Sequence, residues 1–111
     1  MFAAHFCQSE VCNGGFDQFF WNSTGVLAPE AVEGFRQIGQ SQVAALVESA
    51  MELLGSPYPR DRDERQERLS HVPKPSLDSL DQKFFSLIES EAGGFEKAAD
   101  RLLETFGPAP P

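Results

Sequence analysis

An aromatic run enclosed by glycine-containing breaks constrains the fold of this chain more than any other stretch. Residues 13–25 read Asn-Gly-Gly-Phe-Asp-Gln-Phe-Phe-Trp-Asn-Ser-Thr-Gly. The chain has ten Phe and one Trp, and four of these eleven rings lie in this stretch. Because large rings bury about 150–250 Å² each, they dominate core energetics. The run therefore predicts a short aromatic turn of helix at the centre of the core, with a chain break on each side.

Asparagine and glycine residues bound the aromatic run. Asn13 and Gly14 tolerate the positive φ found where helices end, so they predict the end of a first helix over residues 2–12. The inner face of this helix is expected to carry Phe2, Phe6, Cys7 and Val11. The i, i+3, i+4 spacing of the next rings places them on one side of the aromatic turn. The residues expected to form this structural signature are Asn13, Gly14, Gly15, Phe16, Phe19, Phe20, Trp21 and Asn22.

Apolar residues at helical spacing continue along the rest of the chain. Pro29 fits the first turn of a helix, Ser41 is placed to begin the next, and Ser76 is placed to cap another. The glycines that end these helical patterns are Gly39, Gly55, Gly93 and Gly107. No segment shows the sustained alternation that is typical of a strand. The sequence therefore predicts an all-α, compact single-domain bundle of about five or six helices over residues 1–111, with a proline-rich tail at 108–111.

Residues 60–68 form a mixed-charge run whose four bases and four acids cancel. At i, i+4 spacing, Asp61 can pair with Arg65 and Glu64 with Arg68, each pair contributing a few tenths of a kcal/mol to a helix. The run is therefore expected to form a short, solvated helix.

The charge of the chain excludes one class of function and favours another. Its formal net charge is −8 at pH 7, so it lacks the basic face that binds nucleic acid directly by neutralising phosphates. Residues 1–59 hold six acidic residues against one base, Arg36, which places most of the excess in the first half. Such a surface suits a basic protein partner, although acidity also serves to keep a protein in solution. The acidic interaction surface is expected to include Asp17, Glu30, Glu33, Glu48 and Glu52.

Few residues point to metal binding or catalysis. His5, Cys7 and Cys12 lie close together, but a structural zinc site needs four ligands and the fourth is missing, so neither a metal nor another cofactor is expected. Cysteines five residues apart point to different sides of a helix, which disfavours a local disulfide. Nucleophilic catalysis needs a nucleophile, a base and an orienting group. The only candidates are Cys7 with His5 as a nucleophile and base, and His71, which lies in a loop without a marked partner. No catalytic site is therefore predicted.

Neither a signal peptide nor a membrane span is expected. The first residues lack a basic segment followed by an apolar run, and no stretch of about 18 apolar residues occurs. A cytoplasmic location without membrane contact is therefore expected.

The residues from Asn13 to Gly25 resemble the signature of a bacterial family of small acidic proteins that is named for a mimic of double-stranded DNA. The similarity continues along most of the chain, through residues 29–39, 43–54, 60–68 and 80–84. This resemblance implies an all-helical, dimeric protein without enzyme activity. It also implies that carboxylates take the positions at which a DNA-binding protein expects phosphates.

Three hypotheses for the function follow. In the first, the protein is a non-enzymatic interaction domain whose acidic surface mimics duplex DNA and engages a basic or DNA-binding protein, such as a transcription regulator. In the second, it is a scaffold or immunity-type module that recognises its partner through an apolar patch. In the third, it is a small enzyme that uses Cys7 or His71. The composition and the resemblance together favour the first.

Overall fold

Helices account for every regular element that the structure describes. The computed structural model describes residues 2–106, with side chains through residue 102. The α-helices are α1 (Phe2–Trp21), α2 (Ala28–Gln37), α3 (Ser41–Glu52), α4 (Arg62–Ser70), α5 (Lys74–Ser90) and α6 (Phe95–Phe106). Two 3₁₀ turns, Ser23–Leu27 and Glu91–Gly93, precede α2 and α6. The predicted all-α, single-domain fold is confirmed, while Gly107 and the tail at 108–111 lie outside the described residues.

α1 consists of two helical segments joined at Gly14 and Gly15. Gly14 has φ −146° and Gly15 has φ 78° with ψ 179°, so neither residue is helical. A positive φ is available to glycine at little cost, and a Cβ at position 15 would lie 2.5 Å from Asp81 Oδ2. The predicted end of a first helical segment after Asn13 is therefore confirmed, and the second segment of α1 begins directly after the kink.

The aromatic turn lies at the centre of the core, as its composition predicts. Phe16, Phe19 and Phe20 are fully buried. Phe16 stacks on Phe20 with ring centroids 5.7 Å apart, and it meets Phe84 of α5 edge-to-face at 5.5 Å. Phe84 in turn meets Phe35 of α2 at 6.2 Å. Because such pairs contribute about 0.5–1.5 kcal/mol beyond their buried area, these rings join α1, α2 and α5 into one core.

Three of the rings assigned to the core are exposed, and for these the prediction is wrong. Trp21 is 50 % exposed, Phe6 42 % and Phe2 83 %. Trp21 follows Phe20 directly, so it is turned about 100° away from the buried side of the helix. In the first half of α1 the buried positions are instead Ala3, Ala4, Cys7 and Val11. Small side chains at two of these positions let α1 approach its neighbours closely, and Phe2 and Phe6 are left on the outer face.

α4 is the short helix that the mixed charge predicts, and most of its side chains are exposed, but one of its arginines is not. Arg65 is fully buried and does not pair with Asp61. Asp61 instead caps the helix, because its Oδ2 atom accepts the Glu64 N–H at 3.0 Å. The second predicted pair is confirmed, with Arg68 Nη2 lying 3.1 Å from Glu64 Oε1. The guanidinium and Leu69 therefore anchor one face of α4 in the core, while the charged side chains of its other face remain exposed.

Side chains of α4 satisfy the carbonyl groups at the end of α1. Arg65 donates to the carbonyl oxygens of Phe20, Asn22 and Arg60 at 2.7, 2.8 and 2.8 Å. Arg62 and Gln66 both donate to the carbonyl of Trp21, at 3.1 and 2.9 Å. The last carbonyl groups of a helix have no partner within the helix, so α4 supplies the missing donors.

The start of α3 agrees with the sequence prediction and the start of α5 does not. α3 begins at Ser41 as predicted, but its cap is Glu91, whose carboxylate accepts the backbone N–H of Gln42 and of Val43 at 2.8 and 2.9 Å. α5 begins at Lys74 with a proline in its first turn, so the predicted cap at Ser76 is wrong. Because the fixed φ of proline suits the first helical turn, no side-chain cap is needed there.

Candidate protein-interaction surface

Four of the five carboxylates predicted to form an interaction surface lie on the adjacent helices α2 and α3. Arg36 of α2 joins the two sets, because its Nη1 atom lies 3.9 Å from Glu33 Oε2 while its Nη2 atom binds Glu48 of α3. Glu52 lies one turn beyond Glu48 and lines the same small depression. The helical spacing of the acids therefore places them side by side.

Glu30 is the most firmly held of these carboxylates. Arg60 binds it through both terminal nitrogens, at 2.9 and 2.8 Å, and also donates to the carbonyl of Val26 at 2.9 Å. The hydrogen bonds from Arg60 lower the pKa of the Glu30 carboxyl below its usual value. Because both side chains are about half exposed, solvent screens the pair and its contribution to stability is small.

A groove between the end of α3 and α4 extends this acidic region. It has a volume of about 520 Å³, and its lining includes Glu52, Leu53, Gly55, Glu64, Glu67 and Arg68. Glu52 thus borders both the depression beside Glu48 and this groove. We call the resulting region the acidic surface; it comprises Glu30, Glu33, Glu48, Glu52, Glu64 and Glu67.

Sequence reasoning missed Glu64 and Glu67 because residues 60–68 have no net charge. In the structure Arg65 is buried, so three exposed arginines face four exposed acids in that run. The local spacing gives no signal of this, because Asp61 lies four residues before Arg65 and predicts an ordinary surface pair.

Asp17, the fifth predicted carboxylate, lies apart from the acidic surface. It lines a separate pocket of about 170 Å³ together with Asp78 and Asp81 of α5. Asp81 Oδ1 accepts the backbone N–H of Phe16 at 2.8 Å, just after the kink in α1. Burial raises the pKa of the Asp81 carboxyl, and the charges of Asp78 and Asp17 raise it further. Asp81 therefore holds the kink in place, at the cost of keeping a charge partly out of water.

Glu10 is the sixth acidic residue of the first half, and its carboxylate bonds within the chain. It accepts hydrogen bonds from Gln18 Nε2 at 2.7 Å, Asn22 Nδ2 at 3.0 Å and Thr24 Oγ1 at 3.4 Å. These contacts join the two halves of α1 across the kink. They also give Asn22 of the structural signature a physical role.

The candidate nucleophiles lack the environment that catalysis needs. Cys7 is fully buried, and burial raises the pKa of its thiol well above the usual value, so little thiolate forms. Cys12 is exposed, and both cysteines are free thiols. His71 is exposed, with its Nε2 atom 3.9 Å from Glu67 Oε1.

The part of the chain that the structure describes shows neither a metal-binding cluster nor a membrane-spanning helix. Within it, no group of three or more His, Cys, Asp and Glu side chains is arranged to hold a metal ion. None of the helices in residues 2–106 combines the length and apolar character required to cross a bilayer.

Comparison with known proteins identifies the family of the chain. A family model described as DMP19-like protein matches residues 1–106. No curated protein and no solved structure matches the chain. The family match extends from the first residue of α1 to the last residue of α6, so it includes the kink, the aromatic core and the acidic surface. The chain therefore belongs to the DMP19-like protein family.

Proposed function

We propose that the protein is a non-enzymatic interaction module whose acidic surface engages a basic, DNA-binding protein, such as a transcription regulator, in place of duplex DNA. The observation that carries this proposal is the continuity of the acidic surface across α2, α3 and α4. Membership of the DMP19-like family supports it, because the sequence resembles a family named for a mimic of double-stranded DNA. The two unpaired cysteines suit a reducing compartment, and we place the activity in the cytoplasm.

The charges on this surface favour a protein partner over nucleic acid. Six carboxylates face three bases, Arg36, Arg60 and Arg68. Duplex DNA carries one negative charge per about 1.7 Å of its axis, so a chain of net charge −8 can imitate only a few base pairs. The same carboxylates repel DNA itself. Electrostatic attraction to a basic protein raises the rate of association and selects partners by charge.

A homodimer would present the acidic surface twice, and we include it in the proposal. Phe2 and Phe6 lie on the outer face of α1 and are 83 % and 42 % exposed. Their burial between two copies would remove apolar surface from water. Light scattering on the protein and on its Phe2→Ser, Phe6→Ser variant tests this, with a dimeric mass expected for the first and a monomeric mass for the second.

Competition with DNA tests the proposed function. The protein is immobilised, incubated with an extract of its native cells at low salt, and then washed with excess duplex DNA. We expect a retained basic protein that binds DNA and that the duplex releases, and we expect high salt to release it too. Retention of proteins that do not bind DNA, or of none, would contradict the proposal.

One observation favours a second function. The exposed rings Phe2, Phe6 and Trp21 offer apolar contacts to a partner, as a scaffold or immunity-type module would require. A complex held by these rings would be nearly insensitive to salt and to duplex DNA, so the same experiment separates the two functions.

A further inference from the structure

The groove between α3 and α4 contains an apolar side chain that the fold does not cover. Leu53 is 42 % exposed, whereas its neighbour Leu54 is 1 % exposed and belongs to the core. Glu52, Glu64 and Glu67 line the groove around Leu53. An apolar contact surrounded by charged groups is the usual layout of a small protein-binding site, with a dry centre and a polar rim.

The single arginine of the groove is already engaged. Arg68 Nη2 lies 3.1 Å from Glu64 Oε1, and Nη1 donates to the carbonyl of Leu54 at 3.3 Å. Gly55 permits this position, because a Cβ there would collide with Arg68 Nη1. The charges of Arg68 and Glu64 therefore balance each other within the groove wall.

Two carboxylates are left for an incoming partner. Glu52 forms no ion pair with any side chain of residues 2–102. Glu67 faces only His71, whose Nε2 atom is 3.9 Å away and is cationic only when protonated. Because Glu64 balances Arg68, the remaining carboxylates make the groove negative, which disfavours nucleic acid and anionic membranes and favours a cationic protein segment.

We propose that this groove binds a segment of the partner protein in which arginine or lysine side chains flank one apolar side chain. The apolar side chain covers Leu53, and the cations reach Glu52 and Glu67. This inference rests on the proposed function and narrows it. The phosphate backbone of DNA offers nothing like Leu53, so this contact gives the surface a specificity that charge mimicry alone lacks.

A titration followed by NMR tests the groove directly. The full chain, labelled with ¹⁵N, is titrated with a short synthetic peptide in which arginines flank one leucine. A control peptide carries serine in place of the leucine. We expect shifted amide signals at Leu53, Gly55, Glu67 and His71, and affinity about tenfold lower for the serine peptide, as expected for the loss of one covered apolar side chain.

Two substitutions and one control, all outside the core, separate the apolar contact from the charges. Leu53→Ser is expected to bind both peptides equally and weakly, because the contact is already lost. Gln82→Ser, at an exposed position of α5, is the control and is expected to leave the preference for the leucine peptide intact. Glu67→Gln is expected to lower the affinity for both peptides and to reduce the dependence of that affinity on salt.

The outcomes distinguish the groove from the wider proposal. If the shifted amide signals were confined to α2 and the first part of α3, and the leucine peptide bound no more tightly than the serine peptide, the groove would not be the binding site. The acidic surface would remain one. Binding of both peptides that Leu53→Ser does not change would also overturn the groove. No binding of either peptide at low salt would count against the groove and the acidic surface together.

Discussion

The Nε atom of Arg65 lies 2.7 Å from the carbonyl oxygen of Phe20, inside the core. No carboxylate of residues 2–102 forms an ion pair with this guanidinium. The carbonyl groups at the end of a helix carry partial negative charge, so the end of α1 takes the place of a counter-ion. The contact thus joins α4 to the aromatic core and removes a positive charge from the protein surface.

Replacing Arg65 tests the importance of this contact for stability. Arg65→Met replaces the guanidinium with an unbranched, apolar side chain and removes its hydrogen bonds to the carbonyls of Phe20, Asn22 and Arg60. The Asn22 carbonyl still accepts the Gly25 N–H at 3.1 Å, whereas the Phe20 carbonyl is left unpaired in the core. Because a buried polar group left unpaired costs about 1–3 kcal/mol, we expect a loss of that size in the free energy of unfolding. Urea denaturation followed by circular dichroism measures it.

Arg62→Met is the matched control on the same helix. Arg62 is exposed and makes one hydrogen bond, to the carbonyl of Trp21, which also accepts from Gln66. Water can replace the lost donor, so we expect a change below about 0.5 kcal/mol. Equal effects of the two substitutions would show that the buried contact does not stabilise the fold.

The kink in α1 depends on the absence of a side chain at Gly15. Gly15→Ala would place a Cβ 2.5 Å from Asp81 Oδ2, at a φ of 78°. Gly39→Ala is the control, because Gly39 has φ 83° and its nearest neighbour would be Ala92 Cβ at 3.9 Å. Both changes carry the strain of a positive φ, but at Gly15 the ψ of 179° puts the backbone in a region essentially restricted to glycine, which costs about 1–3 kcal/mol. Only the first change also displaces Asp81. We expect Gly15→Ala to be the more destabilising in thermal unfolding, and equal losses would contradict this account of the kink.

Asp81 is expected to make stability depend on pH. Its pKa is raised in the folded protein, so the folded state holds the proton more tightly than the unfolded chain. The carboxyl therefore contributes most to stability below the unfolded pKa of about 3.9, and that contribution is lost as pH rises through the folded pKa. Asp81→Asn keeps the acceptor for the Phe16 N–H and removes the charge. Measured by urea unfolding, its stability relative to the natural protein should rise between pH about 4 and about 7.

Asp81→Leu separates the hydrogen bond from the charge. Without an acceptor the Phe16 N–H, partly buried at the kink, is left unpaired. We expect the free energy of unfolding of Asp81→Leu to be about 1–3 kcal/mol lower than that of Asp81→Asn at both pH values. A leucine variant as stable as the asparagine variant would show that Asp81 does not hold the kink.

The two thiols should differ in reactivity. Cys12 is exposed and Cys7 is fully buried, so a chromogenic disulfide reagent is expected to modify one thiol per native chain and the second only after unfolding. Partial burial and the nearby charge of Glu89 raise the pKa of Cys12. Its thiol should therefore react with the reagent more slowly than the thiol of a free peptide at the same pH. Rapid modification of Cys7 in the native protein would revive the hypothesis of a catalytic cysteine.

Periodicity within single helices predicts much of this fold. The i, i+3, i+4 spacing of Phe16, Phe19 and Phe20 is enough to identify a buried side, because all three rings are large and adjacent. The four-residue spacing of Glu48 and Glu52 likewise places both on one face of α3. These features depend on neighbours along the chain, which the sequence displays directly.

Features that depend on distant residues could not be predicted in the same way. Arg65 is buried because carbonyls more than forty positions earlier, at the end of α1, need donors. Glu91 caps α3 although it follows that helix by about forty residues. The outward orientation of Phe6 depends on which face of α1 its neighbours cover, and nothing in the local pattern reports that choice.

The most direct test of the proposed interaction compares two charge reversals on different helices. Glu48→Lys with Glu52→Lys changes the acidic surface, whereas Glu96→Lys with Asp100→Lys makes the same change in net charge, at the same spacing, on exposed positions of α6. The affinity of each folded variant is measured for the protein captured in the DNA-competition experiment. We expect the first variant to lose at least about tenfold in affinity and the second to stay within about twofold. Equal affinities of the two variants, whether unchanged or reduced, would contradict the assignment of binding to the acidic surface.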